Sequence, residues 1–278
     1  MKLWVDGVLG DESELRVSPL DHGLLVGDGA FETLRVYRGV PFAWHRHLRR
    51  LERSAGGLGL HIPPEETLRA AADAVLAANE LLEARLRITI TGGRSPLGSE
   101  RGSAPVTRIV AASELAPWKE TAGVCIVPWR RNERGATTGL KTISYADNVR
   151  ALAYAYERGA DEAIFANTRD ELCEATGSNV FVAREGILRT PPASAGCLLG
   201  VTRALLITLA ERASIPLEEV ALPISALAES EEAFLSSTTR EVQAIAAVDG
   251  RPLPDAPGPI TRRLAGLFRE LVASDIDP

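Results

Sequence analysis

The chain has 278 residues, with 31 basic and 37 acidic side chains for a net charge of −6, and it is 45% hydrophobic and 24% charged. Those proportions belong to a globular protein of one large or two modest domains and exclude a disordered chain. The charges are scattered, so no basic stripe invites nucleic acid and no polybasic segment invites an anionic membrane.

The start "MKLWVDGVLGDE" reaches a turn and acids without the apolar run of a signal peptide. Nowhere is there a stretch of about 18 apolar residues that would span a bilayer, and a cytoplasmic protein is expected. Cys125, Cys173 and Cys197 are odd in number and widely spaced, and His22, His45, His47 and His61 show no ligand spacing. Neither a disulfide framework nor a protein metal site is expected.

In chain order, "KLWVDGVL" predicts a hairpin around Asp6-Gly7, and "AFETLRVYRGVPFAW" a second pair of strands turning at Arg38-Gly39. "HRHLRRLERSAGGL" predicts a helix with Leu48, Leu51 and Ala55 on one face and most of its arginines in water, and "TLRAAADAVLAANEL" a second helix. The alternating runs "ARLRITITGG" and "TRIVAAS" complete a small N-terminal α/β domain over residues 1–115, and "ELAPWKETAG" marks a linker at 116–123. A larger domain over 124–278 follows: strand "GVCIVPW", helix "NVRALAYAYERGA", strands "EAIFAN" and "NVFVAREGILRT", helix "GVTRALLITLAERASI", a strand broken by a hydroxyl-rich turn in "LSSTTREVQAIAAVDG", and a last helix opened by proline.

Only three of the basic residues are lysines, Lys2, Lys119 and Lys141; the other 28 are arginines. Arginine stays protonated, whereas a desolvated lysine amine can lose its proton and attack a carbonyl. Lys141, in "TTGLKTISYADN", is therefore either a solvated surface charge or a Schiff-base lysine. An aldehyde cofactor such as pyridoxal phosphate also needs a phosphate cradle, an acid for its ring nitrogen and a clamp for the substrate carboxylate. In "LLGVTRALL", Gly200 lets the backbone come close, and the amides of Val201 and Thr202 are first-turn donors at the positive end of a helix dipole; the alternative is an ordinary helix start. Glu174, just after a turn and before a strand in "DELCEATGSNVF", is a surface glutamate or the partner of a pyridinium nitrogen. "STTRE" offers amides and hydroxyls at Thr238 and Thr239 for an anion.

From Glu174 the run "EATGSNVFVAREGILRTPPASAGCLLGVTR" resembles the signature of the class IV aminotransferases, pyridoxal-phosphate enzymes of fold type IV. "GDGAFETLRV", "HLRRLERSA", "LKTISYADN" and "LSSTTRE" extend the resemblance over nearly the whole chain. It implies a two-domain α/β (α+β) fold like that of D-amino-acid aminotransferases, with pyridoxal 5'-phosphate as cofactor and a homodimeric assembly. It further implies that Lys141 carries the cofactor as a Schiff base and removes the α-proton, and that Glu174 bonds the pyridine nitrogen. Arg50, Val201, Thr202 and Thr238 would hold the phosphate, Tyr145 would lie near the phenolic oxygen, and Asn179 and His47 would be supporting residues.

The substrate walls separate the members of this family. Phe31, Thr33 and Arg35 alternate along one side of a predicted strand, and an arginine there can clamp a carboxylate. Arg94, between glycines in a loop expected to be mobile, is a second carboxylate contact or a solvated arginine, and Thr239 a third substrate contact. The resemblance by itself does not separate these members, and the tyrosine and lysine associated with D-amino-acid aminotransferases at the two ends of Phe-x-Thr-x-Arg are absent; the reaction expected is transfer of an amino group between a D-amino acid or (R)-amine and a 2-oxo acid. The alternative is aminodeoxychorismate lyase, to whose strand Phe-x-Thr-x-Arg is similar.

Overall fold

The computed structural model describes residues 1–278, and the chain divides into two compact units. The first comprises Met1–Ala116, Leu140–Tyr145 and Ile276–Pro278, and the second Pro117–Gly139 and Ala146–Asp275. No helix is long and apolar enough to cross a membrane.

The first unit contains β1 (Lys2–Val5), β2 (Val8–Asp11), the short α1 (His22–Val26), β3 (Gly29–Tyr37), β4 (Val40–Pro41), α2 (Trp44–Gly57), α3 (Glu65–Ala78), β5 (Ala84–Thr91) and β6 (Thr107–Glu114). Its antiparallel sheet has the order β2-β1-β6-β5-β3-β4. The two early turns lie where Asp6-Gly7 and Arg38-Gly39 predict them, with all four residues at positive φ. The second hairpin is shorter than "VPFAW" suggests, because β4 stops at Pro41 and α2 begins at Trp44.

Alternation along β3 and β5 sorts their side chains. Ala30, Leu34 and Val36 with Ala84, Leu86, Ile88 and Ile90 join Leu48, Leu51 and Ala55 of α2 and Leu68, Ala72 and Val75 of α3 in one buried core. Each large aliphatic chain so buried contributes about 1.5–3 kcal/mol relative to exposure. Phe31, Thr33 and Arg35 occupy the opposite face, paired across the strands with Thr89, Arg87 and Arg85.

The second unit contains β7 (Thr121–Arg131), α4 (Ala146–Tyr156), β8 (Glu162–Asn167), β9 (Leu172–Ala175), β10 (Asn179–Arg184), β11 (Ile187–Thr190), α5 (Val201–Arg212), β12 (Leu217–Glu219), β13 (Glu232–Ser237), β14 (Glu241–Val248), β15 (Arg251–Pro252) and α6 (Pro259–Ser274). Its mixed sheet runs β12-β11-β10-β13-β14-β7-β8-β9, with β15 on β14 and parallel pairs at β11/β12, β14/β7 and β7/β8.

Three expectations change. Leu140–Tyr145, expected at the start of the second domain, groups with the first unit because residues 141–143 pair with the start of β3. The expected linker 116–123 is already strand from Thr121. Glu174, expected between a turn and the following strand, lies within a strand of its own, β9, opposite Phe165; four residues between two turns are too few to show a period.

Candidate active site

Lys141 is fixed through its backbone. Its N–H donates to Ser54 Oγ at 3.0 Å, its carbonyl accepts from Phe31 N–H at 3.1 Å, and Ile143 N–H donates to Gly29 O at 2.9 Å. A Cβ on Gly29 would meet Ile90 O at 2.6 Å and Ile143 Cδ1 at 2.8 Å, so glycine alone permits this approach. The Lys141 ammonium then lies 4.3 Å from the Phe31 ring centroid and 3.4 Å from Tyr145 Oη, and the rings of Phe31 and Tyr145 meet edge to face at 5.2 Å. The structure thus gathers Lys141, Tyr145 and Phe31.

The guanidinium at this cluster belongs to Arg87. It lies 3.7 Å from the centroid of the same Phe31 ring, opposite Thr33, and its Nε donates to Thr89 Oγ1 at 3.1 Å. Burial lowers its pKa from the ordinary arginine value. Arg35 is four residues beyond Phe31, roughly 13 Å along the strand. It stacks on Tyr37 at 4.8 Å and approaches Glu83 at 3.8 Å, so the structure does not bring it to Lys141. The signal for Arg87 was the alternation in "ARLRITIT", whose arginines share a face with Phe31 once β5 pairs with β3.

Arg50 is buried on the helix-covered face of the sheet. Its Nε and Nη2 donate to the two oxygens of Glu32 at 2.6 and 2.8 Å, and His47 Nδ1 donates to Glu32 Oε2 at 2.7 Å. Burial alone would push the Glu32 carboxyl up, but Arg50, and after it His47, outweigh burial and hold it well below the usual carboxylate range. Burial lowers the pKa of His47 despite Glu32, while the hydrogen bond to that carboxylate keeps a proton on Nδ1. Glu32 escaped the sequence reading, though alternation places it among Ala30, Leu34 and Val36, where a carboxylate requires a buried cation.

Arg94 is exposed, and its backbone bridges to Asp21. The loop around it is tethered: His22 bonds Asp28 at 2.8 Å and Gly98 O at 3.1 Å, and Arg101 grips Asp28 through two nitrogens. The mobility expected from its glycines is opposed by these bonds.

In the second unit, Glu174 Oε2 accepts from Leu198 N–H at 2.9 Å, and its other oxygen lies 3.5 Å from Arg131 Nε. Arg131 stacks at 4.1 Å on Phe165, and its Nη2 donates to Asn148 Oδ1 at 2.7 Å. Nothing local in the sequence marks this arginine, because its approach to Glu174 and Phe165 arises only from tertiary packing within the second unit. Asn179 Nδ2 donates to Leu198 O at 2.7 Å, and a Cβ on Gly200 would come within 2.2 Å of Asn179 Oδ1. One short loop therefore ties Glu174 to the start of α5. That helix has Gly200 as N-cap and no side-chain cap, so the first-turn amides of Val201 and Thr202 are left for another acceptor. Thr238 and Thr239 lie in the turn between β13 and β14, with Thr239 buried.

The family model for class IV amino-transferases matches residues 29–248. A protein assigned as a branched-chain-amino-acid aminotransferase in Methanocaldococcus jannaschii is 33% identical, covering 98% of this chain and 96% of that one. The D-alanine aminotransferase of Listeria innocua is 31% identical over 97% and 96%. The crystal structure of the branched-chain aminotransferase of Thermoproteus uzoniensis with norvaline superposes with a TM-score of 0.92 at 32% identity, over 98% of this chain and 94% of that one. With the family model spanning most of the chain and agreement in sequence and fold from end to end, the protein belongs to the class IV aminotransferases, enzymes that use pyridoxal 5'-phosphate.

Proposed function

We propose that the chain transfers an amino group between a D-amino acid and a 2-oxo acid, with Lys141 as the catalytic base and Arg87 as the carboxylate clamp. The observation that carries this reading is the pairing of Lys141 and Arg87 at one aromatic ring, Phe31. One is a cation that can lose its proton; the other is a fork that cannot and suits a carboxylate. An (R)-amine has no carboxylate for Arg87. A branched aliphatic side chain would meet Arg87, Thr33 and Thr89 on that face, groups that favour a polar or small substituent.

The residues fit pyridoxal phosphate. The uncapped, glycine-led start of α5 suits a dianion, and Glu174, held by Leu198 N–H beside Arg131, presents a carboxylate as acceptor for a ring N–H. Arg50, Val201, Thr202 and Thr238 would hold the phosphate and Tyr145 the phenolic oxygen, while Phe31, Thr33 and Thr239 would line the substrate. When bound, the cofactor supplies an electron sink for the carbon that loses its proton. Lys141 Nζ would take the proton from the substrate α-carbon and deliver it to the cofactor carbon that bears the transferred nitrogen, not back to the α-carbon, so that water can release the 2-oxo acid and leave the amino group on the cofactor; Tyr145 Oη stays within reach of Nζ. Arg87 keeps the carboxylate still meanwhile, and Glu174 holds the proton on the ring nitrogen. A homodimer fits the exposed apolar side chains of Leu24 and Val26 on α1.

A second reading, a branched-chain aminotransferase, is favoured by the relatives at 33% and 32% identity. Initial rates with D-alanine, L-leucine and (R)-phenylethylamine against a 2-oxo acid, and pyruvate release from aminodeoxychorismate, separate the readings. Fastest turnover of D-alanine supports the proposal. Fastest turnover of L-leucine replaces it with the second reading, and 4-aminobenzoate formation without amino transfer replaces both with the lyase.

A further inference from the structure

Glu162, the first residue of β8, and Arg240, which ends the Thr238–Thr239 turn, form an ion pair whose side chains are 3% and 6% exposed. Neither has a part in the chemistry above. Arg240 Nη2 donates to Glu162 Oε2 at 3.0 Å, Nη1 donates to Gln243 Oε1, and the guanidinium lies 3.9 Å from the centroid of Trp118. Gln243 in turn donates through Nε2 to Lys119 O at 2.7 Å. The other oxygen of Glu162 accepts from Thr176 Oγ1 at 2.5 Å and from Ala163 N–H at 2.9 Å. Thr176 is two residues past Glu174, and its carbonyl accepts from Asn148 Nδ2, whose amide oxygen is held by Arg131.

The Glu162 carboxylate thus has one oxygen on the segment that follows Glu174 and the other on the turn that carries Thr238 and Thr239. A buried ion pair is a poor device for stability alone, since apolar groups of the same volume serve as well. Its directional bonds do fix the spacing of the segments they join. We infer that Glu162 and Arg240 are a positioning pair that sets the Thr238–Thr239 turn relative to the Glu174 segment, so that the phosphate and ring nitrogen of the cofactor are held at one spacing. This rests on the proposed roles of Thr238 and Glu174. Neither member of the pair touches the reacting atoms; both act through the turn and the segment they hold.

The readout is selectivity for pyridoxal phosphate over pyridoxal, taken as the ratio of the two dissociation constants on the full chain stripped of cofactor. Arg240→Met and Glu162→Gln are each expected to reduce that ratio by about tenfold, because a displaced turn weakens only the ligand that carries a phosphate. The double variant Glu162→Gln/Arg240→Met leaves no buried charge alone. It is expected to melt near the wild-type temperature and still show the loss, which a purely structural role would not give. Where a single variant is too unstable to purify, the double variant and Arg240→Lys, which keeps the charge without the planar fork, give the same readout. A wild-type ratio in the double variant, or equal loss of both ligands, overturns the inference. Thr238→Val separates this result from the underlying reading: a loss of selectivity there with none in the double variant removes the pair and keeps the turn as phosphate contact. No loss in either removes both.

Discussion

The two units solve opposite problems. Around Lys141 the first unit works with full charges. Arg87 and Lys141 lie against one phenyl ring, and behind the sheet Glu32 is gripped by Arg50 and His47. Around Glu174 the second unit works mostly with backbone and small residues: Leu198 N–H on the carboxylate, a glycine pressed on Asn179, and the open start of α5. A proton carrier must be a group that can change charge, whereas an anion that stays charged is held well by fixed amide dipoles. Substitutions at Lys141 and Arg87 should therefore be felt in catalysis and substrate binding, those at Glu32 in the pH dependence of stability, and those around Glu174 and the start of α5 in cofactor affinity.

The largest expected effect is at Lys141. Lys141→Ala should lower kcat by at least about 10³-fold, the scale of losing a positioned base, in a steady-state assay of the purified chain. Next is Glu32→Gln, which leaves Arg50 without its buried counter-charge and should cost about 3–5 kcal/mol in a urea denaturation curve. The pH dependence has a definite sign. The folded-state pKa of Glu32 is depressed, so its contribution is complete above the unfolded glutamate value of about 4.3 and fades as pH falls below it toward the folded value. The stability gap between wild type and Glu32→Gln should be constant from pH 7 to pH 5 and narrow at pH 3. A gap that widens on acidification would contradict the pairing.

Arg87→Met should raise KM for carboxylate substrates by about 30-fold or more, the scale of a lost charged hydrogen bond, with a smaller change in kcat. Gly200→Ala forces a methyl group onto Asn179 and should weaken pyridoxal phosphate binding by about 1–3 kcal/mol in a cofactor titration. Smallest is Arg35→Ala, expected to change KM by less than about threefold, because a partly exposed ion pair away from the reacting atoms contributes about 0–1 kcal/mol. If Arg35→Ala raised KM as far as Arg87→Met, the assignment of the clamp would have to be exchanged between them.

How far the sequence foretold this arrangement depends on the range of the signal. The helices and most strands were legible because their periods repeat over many residues, and the turns at Asp6-Gly7 and Arg38-Gly39 because positive φ selects such residues. Lys141 stood out because only a few lysines survive among many arginines. Arg87 did not, since its importance arises when β5 pairs with β3 and turns it onto Phe31. Arg131 was missed for the same reason, as its approach to Glu174 depends on tertiary packing within the second unit. The grouping of Leu140–Tyr145 with the first unit follows from edge pairing with β3, and local composition carries no trace of that.

Because Lys2, Lys119 and Lys141 are the only lysines of the chain, one measurement tests the central claim directly: borohydride reduction of the protein loaded with pyridoxal phosphate, followed by peptide mass mapping. The account predicts one pyridoxyl-phosphate adduct per chain, on the peptide that contains Lys141, and none on Lys2 or Lys119. A stoichiometric adduct on either of those lysines, or no adduct on a chain that has bound the cofactor, would contradict it.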